Sequence, residues 1–468
     1  MNAAPEPTDA RAGSRLAAVV KAHDVRGRVP DDLDETRMRA LGAGVADVLV
    51  RGEQQTQIVV GRDMRLHSPV LAAALCRGLV ERGTDVIDIG LASTDQLYFA
   101  SGSLDLPGVM VTASHNPPEW NGLKLCRAGA RPVGRASGLD QVAARGLVHL
   151  NEVAAGDLAS GSIERRDVLA AYARHLRALA PVGGRRLRVV VDAANAMAGV
   201  TAPAVLGALD LELVALNFEL DGSFPAHPPD PLDPANLVDL QAAVRAERAD
   251  LGLAFDGDAD RCFVVDETGA PISASAVIAL VARRELARHP GATIVHSLTC
   301  SRAVAEEVRA AGGVPVRTRV GHSGVKAAMA DHGAVFGGEH SGHYYFAAFW
   351  NADSGMLAAL HMLAAVAESP RPLSALVAPF DRYPASGEIN SVVSDAAAAI
   401  RAVEAATAAE PSLEIDHLDG LTVASARWWF NLRASNTESL LRLNVEADDE
   451  AMMVQVRDLV LSAIRRQQ

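Results

Sequence analysis

The sequence predicts an α/β protein: three homologous mixed-sheet α/β domains followed by a C-terminal α+β domain, set around a central cleft. Three observations point there. Short β-branched runs alternate with helical patterns of about 10–15 residues, the signature of βαβ units. The same order of parts recurs in three successive segments. After about Pro372 the alternation stops and strands follow one another, as in an α+β domain.

The first segment opens on a strand at 57–60, then a loop at 61–69, a helix over 70–82 and a second strand at 85–90. The apolar run 108–111 then enters a polar loop. The second segment repeats this with a strand at 188–191, a loop at 192–199, a helix near 202–209, a strand at 212–217 and the run 250–255. The third has a strand at 293–296, a helix near 301–311, a strand at 314–320 and the run 333–336. In the last segment 388–392, 420–424, 428–432 and 440–447 read as strands, and 449–465 as an amphipathic helix. Domain limits are expected at 1–158, 159–268, 269–372 and 373–468.

Length and composition agree. A chain of 468 residues is too long for one ordinary domain. Hydrophobic residues make up 49% and aromatics only 4%, so the core is built mainly of Ala, Val and Leu. A formal charge of −13 argues against coating nucleic acid or anionic membrane, while an acidic enzyme can still bind phosphates where its basic residues converge in one cleft. Cys76, Cys126, Cys262 and Cys300 are widely spread with no CxxC, which fits neither a disulfide framework nor a zinc site. The first fifteen residues lack an apolar secretory core and read as a short mobile tail. No stretch approaches the roughly 20 apolar residues of a membrane span, so a cytoplasmic protein is expected.

Each repeat ends in a loop rich in chemistry, at a strand carboxyl end where open α/β sheets bind ligands. Asp256-Gly257-Asp258-Ala259-Asp260-Arg261 places carboxylates at i, i+2 and i+4, hard oxygen ligands suited to Mg²⁺. An EF-hand would need Gly where Arg261 stands, and 262–265 reads as a strand. The alternative is a solvated acidic turn, disfavoured by the buried-type run before it. Thr112-Ala113-Ser114-His115-Asn116-Pro117 holds a serine beside a histidine without a G-x-S-x-G elbow, so it is either a nucleophile loop or a turn. Gly337-Gly338-Glu339-His340-Ser341-Gly342-His343 offers either a grip on vicinal sugar hydroxyls or an irregular hairpin. Arg433-Ala434-Ser435-Asn436-Thr437 has the inventory of a phosphate cradle. The segments 21–27, with Arg26, and 319–326, with Gly321 and His322, add cations near the same strand ends.

Taken together and in this order, the loops resemble the α-D-phosphohexomutase superfamily, in its phosphomannomutase/phosphoglucomutase branch. The resemblance covers nearly the whole chain, with one motif in each expected domain. It implies a mutase that moves a phosphoryl group between C1 and C6 of a hexose phosphate through a 1,6-bisphosphate, which also serves as activator. Ser114 would carry the phosphoryl group, and Asp256, Asp258 and Asp260 would hold Mg²⁺ with the phosphate on Ser114. Glu339 and Ser341 would bind the sugar O3 and O4. Arg433, Ser435, Asn436 and Thr437 would bind the distal phosphate, with Gly321 and Arg261 also at the substrate. Lys124, in the matching Asn121-Gly122-Leu123-Lys124, and Arg26 would offset charge on the transferring group. His322 and Lys124 are the first candidates for the general base, then His115 and His343. The resemblance leaves monomer or homodimer open.

Departures from the pattern bear on preference more than on chemistry. His23 stands where Tyr is frequent, Ser439 where Pro is, and Leu298 near a Lys of some relatives. Ala259 replaces a Gly, which is comfortable only at negative φ. The motifs favour mannose or glucose phosphate, mannose first. A haloacid-dehalogenase-type phosphatase would need Thr or Val after its D-x-D and would leave Ser114 idle. A non-catalytic sugar-phosphate binder would not need the intact serine and aspartates.

Overall fold

The computed structural model describes residues 16–151, 160–407, 413–434 and 440–466. The expected N-terminal tail, the limit at 158/159 and Ser435, Asn436, Thr437 and Ser439 lie outside the described residues. The chain forms two compact units, one of Met1–Ile272 with Ser341–Ser374 and one of Ser273–His340 with Ala375–Gln468.

The threefold pattern is present in the strand order. In the first sheet Gln57–Arg62 is central, flanked in parallel by Asp85–Leu91 on one side and Gly108–Val111 on the other. In the second sheet Leu187–Asp192 is flanked in parallel by Leu211–Leu216 and Leu251–Phe255. In the second unit Thr293–Ser297 lies in parallel between Val314–Thr318 and Phe336–Gly338. Each repeat therefore places its third strand beside its first, and the loop leaving that third strand carries the motif. The first two sheets are mixed. Trp120–Arg127 returns antiparallel beside Gly108–Val111, and Cys262–Asp266 does so beside Leu251–Phe255. These return strands fix the exit of each motif loop by closing it as a hairpin.

The last segment is an antiparallel sheet in the order Ile389–Val392, Leu440–Ala447, Trp428–Ala434, Leu421–Ala424, Glu414–Asp416. Helices Ala396–Thr407 and Glu450–Arg465 bury Val403, Val456 and Val460 against Phe430, Leu432 and Leu443. Asp449 caps the last helix by accepting from the Met452 N–H. Strand Glu414–Asp416 and helix Ala396–Thr407 have no counterpart in the sequence reading; three residues and an Ala-rich stretch give little periodicity.

Several boundaries differ from expectation for local reasons. The helix expected over 70–82 is Ser68–Val80, because Pro69 sits in the first turn, where its missing N–H costs nothing. The helix expected near 202–209 is Ala198–Leu206, with Pro203 in its interior; left-handed Ala194 and Asn195 turn the chain early. The run 333–336 begins with Gly333, the left-handed cap of helix His322–His332, and the strand follows as Phe336–Gly338. Gly337 and Gly338 therefore belong to a strand and not to a ligand loop. A Cβ on Gly338 would lie 2.5 Å from Ile278, so this glycine lets helix Ala274–Arg288 pack on the strand. Gly338→Ala should cost about 1–3 kcal/mol, read as a lowered urea midpoint followed by tryptophan fluorescence.

Among the described residues, no helix is long and apolar enough to cross a membrane.

Candidate active site

In the first unit the loops after Gly108–Val111 and Leu251–Phe255 meet. Ser114 Oγ donates to Asp256 Oδ2 at 2.7 Å and lies 3.2 Å from His115 Nδ1. The approach is so close that a Cβ on Gly257 would stand 2.2 Å from the Ser114 carbonyl oxygen; only glycine fits there. Ser114 itself has φ 50, a left-handed conformation unusual for serine. The Thr112 hydroxyl supports it by accepting from the Ser114 N–H at 2.9 Å.

Arg65, which belongs to none of the sequence motifs, explains how this loop holds its shape. Its side chain is fully buried and donates to four backbone carbonyls: Ser114 at 2.7 Å, Asn116 at 2.6 Å, Pro117 at 2.7 Å and Trp120 at 3.1 Å. The planar, five-donor guanidinium is the side chain able to collect so many acceptors. Buried Asp63 pairs with it at 3.3 Å, and its cation lies 5.0 Å from the Phe224 ring centroid. The available signal was an Asp and an Arg two residues apart at the carboxyl end of the first strand, where a solvated pair has no reason to be fixed.

Asp256, Asp258 and Asp260 are buried, with ligand oxygens within 4.8 Å of one another. Lys124 bridges two of them, 2.7 Å from Asp258 Oδ2 and in contact with Asp260. Arg261 adds a second cation, with its Nε 3.5 Å from Asp256 Oδ2, while its backbone N–H donates to Asp256 Oδ1 at 3.2 Å. Burial, and then the neighbouring Asp260 and Asp258 charges, push the Asp256 carboxyl well above the usual range. Burial and Asp258 raise Asp260 as well. For Asp258 burial works the same way, but the Lys124 ammonium, the Thr94 hydroxyl and Arg261 together outweigh it and hold this carboxylate below its ordinary value. The Lys124 ammonium is stabilised in turn: Asp258 and Asp260 raise its pKa despite its burial.

These residues fit a divalent cation. Asp258 Oδ1 and Asp260 Oδ1 are buried oxygens that receive no hydrogen bond, an arrangement that is costly without a cation.

Arg26 binds Asn116 and sits 2.5 Å from Asp24. His115 receives Arg261 at its Nδ1, and burial with that guanidinium pushes its pKa well down. His343 lies 3.6 Å from Asp260 Oδ1, is 3.0 Å from Ser341 Oγ and stacks on Tyr345; burial and Arg261 bring its pKa to about 4. The structure thus brings together Ser114, His115, Lys124, Arg26, the three aspartates, Arg261, Ser341 and His343 in one unit.

The second unit holds the other expected residues. Buried Glu339 accepts from the Gly321 N–H at 2.6 Å, and Gly321, at φ 116, precedes helix His322–His332, which His322 opens. Arg433 pairs with Glu388 at 2.9 Å near the end of its strand.

Ala259 has φ 58, so the expectation that its methyl requires negative φ is overturned. The residue sits in the left-handed region, with its N–H bonded to the Asp256 carbonyl at 3.1 Å. The loop geometry outweighs the local preference because both flanking strands are paired.

A serine hydroxyl set against a buried acidic triad at strand carboxyl ends is the equipment of a phosphoryl-transfer enzyme. Models of the phosphoglucomutase/phosphomannomutase alpha/beta/alpha domains I, II and III match residues 17–144, 170–269 and 273–383, and the model of the C-terminal domain matches 388–463. The chain is 42% identical over 449 residues to the phosphohexose mutases of Xanthomonas campestris pv. campestris, spanning 95% of this chain and 98% of the relative. It is 37% identical over 461 residues to the phosphomannomutase/phosphoglucomutase of Pseudomonas aeruginosa, spanning 97% of each. A crystal structure of a phosphoglucomutase/phosphomannomutase family protein from Burkholderia thailandensis superposes with TM-score 0.88 at 33% identity, covering 96% of this chain and 97% of that one. The chain therefore belongs to the phosphoglucomutase/phosphomannomutase family, and it is an enzyme of the α-D-phosphohexomutase superfamily.

Two outcomes follow from the backbone and the clamp. Ala259→Gly should raise stability by about 0.5–1 kcal/mol, seen as a higher urea midpoint, since relief of left-handed strain exceeds the entropy glycine adds to the unfolded chain. Arg65→Lys should lower it by at least about 2 kcal/mol, because an ammonium cannot serve all four carbonyls at once.

Proposed function

We propose that this enzyme interconverts hexose 1-phosphate and hexose 6-phosphate, with mannose phosphate as first substrate and glucose phosphate as second. The observation that carries the reading is the 2.7 Å contact of Ser114 Oγ with Asp256 inside a triad that retains two hydrogen-bond-free oxygens. The names of the relatives, among them phosphomannomutase of Salmonella typhimurium and of Escherichia coli, support mannose as the leading substrate.

In this reading phosphorylated Ser114 is the resting donor. The free C6 hydroxyl of a 1-phosphosugar attacks its phosphorus; the bond from phosphorus to Ser114 Oγ breaks as the bond to O6 forms. The 1,6-bisphosphate turns over, and its other phosphoryl group returns to Ser114. Mg²⁺, held by Asp256, Asp258, Asp260 and the phosphate on Ser114, would supply charge neutralisation. Lys124, Arg261 and Arg26 surround the same serine loop with fixed positive charge, the main contribution a protein makes to phosphoryl transfer.

The hydroxyl proton needs an acceptor. Lys124 is held as an ammonium by two carboxylates and serves better as a cation than as a base. The His115 Nδ1 is occupied by Arg261. We assign the role to His343, a neutral imidazole beside the triad. For Gly321, Glu339, Ser341, Arg433, Ser435, Asn436 and Thr437 the substrate roles rest on the family motifs. In those roles O3 and O4 are gripped alike in both sugar orientations, and one distal phosphate site serves both.

The test is ³¹P NMR of the protein with Mg²⁺, a trace of hexose 1,6-bisphosphate and mannose 1-phosphate or glucose 1-phosphate. A 6-phosphate signal that Ser114→Ala reduces by at least about a thousandfold is expected. Release of free phosphate alone would mean a phosphatase.

A further inference from the structure

Asp258 differs from the other two triad carboxylates in being held from a separate helix. Helix Thr94–Leu104 begins directly against it. The Thr94 N–H donates to the Asp258 carbonyl oxygen at 2.9 Å, and the Thr94 hydroxyl donates to its carboxylate Oδ2 at 2.7 Å. One residue thus pins both the main chain and the side chain of Asp258. Lys124 reaches the same Oδ2 at 2.7 Å, and the Thr112 hydroxyl is a distant third at 3.4 Å. All these donors converge on one oxygen, so Oδ1 is left without a hydrogen bond.

Thr94 is itself fixed on both sides. Ser93 caps the helix by accepting from the Gln96 N–H at 3.2 Å. The next residue, Asp95, is fully buried and takes hydroxyl donors from Ser93, from Tyr172 at 2.7 Å and from Ser354 at 2.6 Å. Tyr172 lies within helix Leu169–Leu179, and Ser354 caps helix Gly355–Ala367. Asp95 thus ties Thr94's helix to two others of the first unit. A buried carboxylate would be costly here without these donors.

We propose that Thr94 is a positioning residue of the metal site, selecting Oδ1 of Asp258 as the oxygen presented to the cation by engaging Oδ2. The inference rests on the reading of Asp256, Asp258 and Asp260 as cation ligands and adds to it a residue outside all the family motifs quoted above. The physical basis is general. A ligating carboxylate with one oxygen hydrogen-bonded has a single orientation, and removing the partner typically lowers metal affinity about 10–100-fold.

The test uses the full-length protein and Mn²⁺ as probe, with free Mn²⁺ followed by electron paramagnetic resonance and melting curves run alongside. Thr94→Val keeps the shape and removes the donor. It should raise the Mn²⁺ dissociation constant about 10–100-fold. Thr94→Ser, which keeps the hydroxyl, should stay within about threefold of the parent. In turnover, Thr94→Val should shift the Mg²⁺ concentration for half-maximal rate by a similar factor, with a smaller change in kcat at saturating Mg²⁺. A cooperatively melting Thr94→Val protein with parental Mn²⁺ affinity would overturn the proposal. So would Thr94→Ser matching Thr94→Val, which would assign the effect to packing. If Asp258→Asn and the parent bind Mn²⁺ alike, the cation reading of the triad fails first and the role of Thr94 falls with it.

Discussion

Three carboxylates buried within 4.8 Å of one another repel, and burial deprives them of the water that would screen the repulsion. Much of the first unit's site answers that constraint. Lys124 arrives from an antiparallel return strand and bridges two of the carboxylates, while Arg261 closes the loop against the third. Removing either cation would leave buried charge with no compensation, which is more damaging than the pair is stabilising. The site is therefore a balance of charges in which the Ser114 hydroxyl occupies one corner, bonded to Asp256, a carboxyl that burial and its acidic neighbours push well up.

The fold makes that balance possible by repetition. A central strand, a neighbour on one side and a third strand on the other bring each motif loop out at the same edge of its sheet. In the first two repeats an antiparallel return strand follows, so each loop is held at both ends by strand pairing. This is why Ser114 and Ala259 can keep left-handed backbones: the hairpins decide the turn, and the residues comply.

Much of this was legible in the sequence. The three repeats, the acidic loop and the serine loop stood out because strand periodicity and ligand spacing are local properties. Arg65 and Thr94 were not visible in the same way. Arg65 acts by collecting carbonyls from residues up to 55 positions away, and Thr94 by reaching an aspartate 164 positions later. Neither spacing leaves a trace in a window of sequence. The Gly337–Gly338 pair misled for the opposite reason: glycine is equally the mark of ligand approach and of tight packing, and only the neighbour Ile278 distinguishes them. Ala259 shows that a propensity argument yields when both flanking strands are already committed.

The four carbonyls gathered by Arg65 also give the serine loop a polarity. Each oxygen turned inward is one that cannot swing outward by a peptide flip and present lone pairs beside the Ser114 hydroxyl. The loop's side chains remain available for contacts of their own, and Asn116 uses its amide oxygen to hold Arg26. A loop of this kind has its reorganisation done at folding, so the electrostatic environment around the serine hydroxyl is set before any ligand arrives.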